Sequence, residues 1–96
     1  MKTYQEARKH SEYSRIPEHI LADLYAYVEH RQSVGHFLSA VLCGNLFEAV
    51  GRADKESCAV LREIVMFIHN EMRSDCYGNP AKVREWLHPT PPHSHD

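Results

Sequence analysis

Gly35-His36-Phe37 combines residue types from which a small anion site can be built. The glycine lets a ligand come close to the backbone, and a helix starting there has free amide N–H groups in its first turn. Arg31 before this loop and Arg52 at the far end of the following helix would add positive charge. The plainer alternative makes Gly35 a turn residue and Phe37 part of the core. Gly51-Arg52-Ala53-Asp54 is the second constellation. Arg52 and Asp54 either pair across a tight interhelical turn, or Asp54 caps the next helix while Arg52 stays in water. An exposed ion pair of this kind contributes roughly 0–1 kcal/mol. Tyr25, an amphipathic aromatic suited to an interface, and Asn45, a polar residue inside an apolar stretch, complete the expected binding set. That set is Tyr25, Arg31, Gly35, His36, Phe37, Asn45, Arg52 and Asp54.

The sequence has eight histidines, but no two lie four apart on one helix and no cysteine stands at finger spacing from them, so no metal site and no cofactor is expected. Cys43, Cys58 and Cys76 are odd in number and form no C-x-x-C, which fits reduced thiols better than a disulfide framework. Cys76 falls in a loop, where Asp75 beside it disfavours the thiolate a nucleophile needs. With no Ser/His/Asp order, phosphate loop, dinucleotide fingerprint or paired carboxylates, the chain is not expected to be an enzyme.

The elements that must hold these residues read as helices. Pro17 suits a first helical position, and Ile20, Leu21, Leu24, Tyr27 and Val28 recur at helical spacing, predicting a helix over about 17–31. Tyr25 and Tyr27 are about 200° apart on it, so only one can face the core. A second helix starts near His36, with Phe37, Leu38, Val41, Leu42, Leu46, Phe47 and Val50 as a wide apolar stripe. Gly44-Asn45 is either tolerated inside it or bends it, and Gly51 is the expected C-cap. Asp54 as N-cap opens a third helix over about 55–73, with Cys58, Leu61, Ile64, Val65, Ile68 and Met72 on its apolar face. Asn79-Pro80 starts a short last helix bearing Val83, Trp86 and Leu87. The fold class is therefore all-α: a small bundle of three main helices plus a short C-terminal one. It occupies residues 16–88, between a polar arm (1–15) and a His/Pro tail (89–96) expected to be disordered.

Composition bounds the rest. Ninety-six residues, 43% of them hydrophobic, allow one domain with a single core. Residues 1–16 carry Lys2, Arg8, Lys9 and Arg15 against Glu6 and Glu12, a net +2, which leaves −4 on the remainder of a chain whose total is −2. Such a balance gives no general attraction to nucleic acid, so that partner is not expected beyond an accessory contact by the basic arm. The longest apolar run, Ile64-Val65-Met66-Phe67-Ile68, is far short of the roughly 20 residues that cross a bilayer, and the polar start is no signal peptide. A cytoplasmic protein without a membrane partner is expected, and its small core favours a homodimer.

From Ile16-Pro17-Glu18 to Trp86-Leu87 the chain resembles a group of short, mostly uncharacterised proteins of tailed phages and prophages. The resemblance rests on Tyr27-Val28-Glu29, Gly35-His36-Phe37-Leu38, Ala40-Val41-Leu42-Cys43-Gly44-Asn45-Leu46 and Arg52-Ala53-Asp54. Cys76-Tyr77-Gly78, with Val83 and Trp86, completes it. His36 stands where the group has a second glycine, and Gly44-Asn45 where it has Asn-Asp. The resemblance implies a phage or prophage origin and a host-cytoplasm address. It points to a non-enzymatic interaction protein that binds and occludes a host protein or complex, such as a defence component. The alternatives are a binder that sequesters a small nucleotide signal at the Gly35-His36 helix start, and a nucleic-acid accessory protein.

Overall fold

The computed structural model describes residues 6, 9 and 13–89. Most of the expected arm and the tail from residue 90 onward lie outside the described residues. Among the described residues there are six α-helices and no strand: α1 (Glu18–His30), α2 (His36–Leu42), α3 (Leu46–Arg52), α4 (Lys55–Ala59), α5 (Leu61–Glu71) and α6 (Pro80–Leu87). A single 3-10 turn, Ser74–Cys76, precedes α6. The all-α class holds, but two of the expected long helices are each divided.

The first division falls at Gly44. Its amide donates to the Val41 carbonyl at 3.1 Å and the Asn45 amide donates to the Ala40 carbonyl at 2.9 Å. These are the two bonds of a Schellman ending, with Gly44 as the left-handed residue at φ 77°. The helix is neither continuous nor merely bent there. Asn45 then caps α3 by accepting the Glu48 amide at 3.1 Å. Gly51, expected as a C-cap, is instead inside α3, which ends at Ala53 in extended backbone. The second division is at Val60, whose φ −116° and ψ 19° interrupt the helical path between α4 and α5. Cys58 and Val65, expected on one buried stripe with Ile64 and Ile68, are exposed; Val65 lies in the same unbroken helix as Ile64 and Ile68 but on its outer side.

The first helix matches its predicted stripe: Ile20, Leu21, Leu24 and Tyr27 are buried. It ends one residue early, at His30, with Arg31 in the left-handed region at φ 51°. Leu38 and Leu42 of α2, Ile64, Phe67 and Ile68 of α5, and Val83 and Trp86 of α6 close the core. Tyr13, assigned to the arm by sequence, belongs to that core at 2% exposure. Its ring meets Phe67 edge-on at 5.2 Å, and Asn70 Nδ2 donates to its hydroxyl at 3.2 Å. Among the described residues no helix is long and apolar enough to cross a membrane.

Candidate functional site

Five of the eight expected site residues converge. Gly35, His36 and Phe37 at the start of α2, with Arg52 and Asp54 from the α3–α4 turn, line one open depression of about 240 Å³. His19 and Asp23 of α1 form its other wall. The α3–α4 turn carries Asp54 there because that residue is the N-cap of α4: its Oδ1 accepts the Ser57 amide at 2.7 Å. That bond, followed by the Ser57 side-chain contact, holds the Asp54 carboxyl below the ordinary carboxylate range. Arg52 does not pair with Asp54; its Nε donates to Glu48 Oε1 at 2.7 Å, one turn back on the same helix.

The charge in this depression is mixed. Two carboxylates, Asp23 and Asp54, face a guanidinium already bound to Glu48, which is a poor surplus of positive charge for a phosphate. Arg52→Ala is expected to leave the fold intact and to shift stability by less than about 0.5 kcal/mol, the scale of exposed i,i+4 pairs. Thermal melts followed by circular dichroism check this, and a cooperative loss of structure would make Arg52 a structural residue.

The other three residues lie elsewhere. Tyr25 packs at the edge of the core with its ring 6.1 Å from Phe67. Burial, then the nearby Glu6, Glu71 and Glu29 carboxylates, raises its phenol to about 12. Arg31 stacks over Trp86, its guanidinium carbon 3.8 Å from the ring centroid, while Nη1 donates to the Trp86 carbonyl at 2.8 Å. Asn45 is the α3 cap described above. Cys76 is fully buried, its thiol pushed up by burial and then by Asp75. No group of three metal-binding side chains occurs among the described residues.

The sequence-derived set leaves out the surface that departs most from an ordinary one. Leu46, Phe47, Val50 and Val65 are 63%, 89%, 47% and 45% exposed. Leu46 and Val65 line an apolar trough with Val41, Ala49 and Leu61, which continues past Val41 and Val65 toward Met66 and Tyr77, while Phe47 and Val50 stand exposed elsewhere on α3. The sequence carries a signal for it, since Leu46, Phe47 and Val50 extend the apolar stripe expected for the second helix, but a stripe reads as core.

Fold and site together define, among the described residues, a small all-α protein with a mixed-charge depression at the start of α2 and an exposed apolar face. No family model, curated protein or solved structure matches the chain.

Proposed function

We propose that the protein is a non-enzymatic interaction protein that works by binding and occluding another macromolecule. Following the resemblance to small phage proteins, the target is a host protein or complex met in the host cytoplasm, such as a defence component. The observation that carries the reading is Phe47. A phenylalanine 89% exposed, on the helix whose Leu46 and Ala49 wall an apolar trough, keeps in water a side chain whose burial is worth roughly 1.5–3 kcal/mol. Contiguous apolar surface beyond a few hundred Å² characterises binding faces rather than ordinary surface. The helix-in-groove mode suits this face, because α3 presents a knob and the trough beside it accepts one.

Phe47→Asp tests the reading. The wild-type chain, tagged and cross-linked in a bacterial host, is expected to retain a defined protein partner. The variant is expected to lose at least tenfold of that capture with unchanged helicity. Equal capture by both proteins would place binding away from this face. The nucleotide-binding alternative has the convergence of His36, Arg52 and Asp54 in its favour and the two carboxylates against it.

A further inference from the structure

We infer that the cleft where Arg31 and Arg73 meet at Trp86 binds a small oxyanion, a phosphate or a carboxylate, independently of the Phe47 face. Three separate parts of the chain build it. Arg31 caps the end of α1, Arg73 follows α5 in extended backbone, and Trp86 belongs to α6. Both guanidiniums address the same indole, their central carbons 3.8 and 5.6 Å from its ring centroid. A depression of about 230 Å³ opens there, lined by Arg31, Arg73, Asp75, Glu85, Trp86 and Pro89.

Charge balance and donor supply both favour an anion. Two guanidiniums gathered at one ring repel each other, and Asp75 offsets this only in part. Its carboxylate accepts from Arg73 alone, Oδ1 from Nε at 3.1 Å and Oδ2 from Nη2 at 2.7 Å. These bonds hold the Asp75 carboxyl below the ordinary carboxylate range, and the Arg31 charge adds to the effect. Glu85 lines the same depression but exerts no comparable effect on Asp75 or Arg73, so the cluster around Asp75 carries a positive surplus. The depression at the start of α2 has the reverse balance, with Asp23 and Asp54 against Arg52. Arg73 uses Nε and Nη2 on Asp75, and Arg31 uses Nη1 on the Trp86 carbonyl, which leaves further N–H donors on both forks. Asp75 already displays the binding mode, two oxygens on the edge of a guanidinium. Because that ion pair is exposed, a ligand that bridges both arginines displaces it easily. Arg31 is, among the described residues, the one non-glycine with positive φ, at 51°, and backbone held in that region gathers at functional positions.

Trp86 is the sole tryptophan of the chain, so its fluorescence reports occupancy of the cleft directly. Inorganic phosphate or acetate is added to the full chain at constant ionic strength set with sodium chloride. A saturable change is expected. Saturation by phosphate alone assigns the cleft to phosphate groups, and saturation by acetate at equal or lower concentration assigns it to carboxylates. Arg73→Gln is expected to raise the dissociation constant at least roughly fivefold. Asp75→Asn frees Arg73 from its internal partner and is expected to lower that constant roughly threefold, a direction that a merely structural role of the ion pair does not produce. Both side chains are more than half exposed, so helicity by circular dichroism is expected to stay unchanged in each variant. A fluorescence change that never saturates with either anion overturns the site. Saturable binding that both substitutions leave unaltered also overturns it, by placing the anion elsewhere.

Discussion

Trp86→Ala is expected to lower stability by about 3–5 kcal/mol, a large share of what a domain of this size has. The indole is 7% exposed and sits where three parts of the chain meet. Its Nε1 donates to the Tyr27 carbonyl at 2.7 Å, one of the last carbonyls of α1 and therefore without a helical partner. The Trp86 carbonyl receives Arg31, whose guanidinium also lies over the ring and whose backbone is left-handed. Tyr27, 6.4 Å from the indole, donates its hydroxyl to the Cys76 carbonyl at 2.7 Å and so fixes the 3-10 turn before α6. Deleting the indole removes the buried ring, leaves the Tyr27 carbonyl without its donor, and takes away the ring that Arg31 covers. Trp86→Phe separates these contributions. It keeps most of the ring but not the N–H, and is expected to cost roughly 1–3 kcal/mol, the range for a buried polar group left unpaired. Urea melts of both variants by circular dichroism check the order. If the alanine variant lies within about 1 kcal/mol of wild type, the latch between α1 and α6 does not hold the fold together.

The contrast between what was legible and what was not follows the range of the interactions. The stripe of α1, the Asp54 cap and the Asn79-Pro80 start depend on neighbours within four residues, and each appears where the local pattern places it. Arg31 and Trp86 are 55 positions apart, so Arg31 read as free charge although it is committed to the indole. Tyr13 looked like part of a polar arm because no periodic neighbour marks it; its burial depends on Phe67 and Asn70. Of the expected site, Gly35, His36, Phe37, Arg52 and Asp54 came together because two adjacent turns carry them. The apolar face was missed for a different reason. Periodicity shows that one side of a helix is apolar, not whether the rest of the chain covers it. Once Gly44 ends α2, α3 is free to turn Phe47 outward.

Gly44→Ala and Gly51→Ala are expected to shift stability in opposite directions. Alanine favours a helix interior over glycine by about 0.5–1 kcal/mol, so a helix running from His36 through residue 50 would gain from the change at position 44. In the observed structure that residue has φ 77°, and a Cβ on it would lie 2.8 Å from the Gly78 carbonyl oxygen. That oxygen cannot simply withdraw. The Gly78 amide donates to the Leu42 carbonyl at 2.7 Å, which ties the loop before α6 to the end of α2. Gly44→Ala therefore combines left-handed strain of roughly 1–3 kcal/mol with displacement of a hydrogen bond worth roughly 0.5–1.5 kcal/mol, a loss of about 2–4 kcal/mol. Gly51, inside α3 with open space around it, should gain about 0.5–1 kcal/mol as alanine. Thermal melts of the two variants decide the matter by sign alone. Stabilisation at position 44 would mean a continuous second helix, and Phe47 would then lose the turn that points it into solvent.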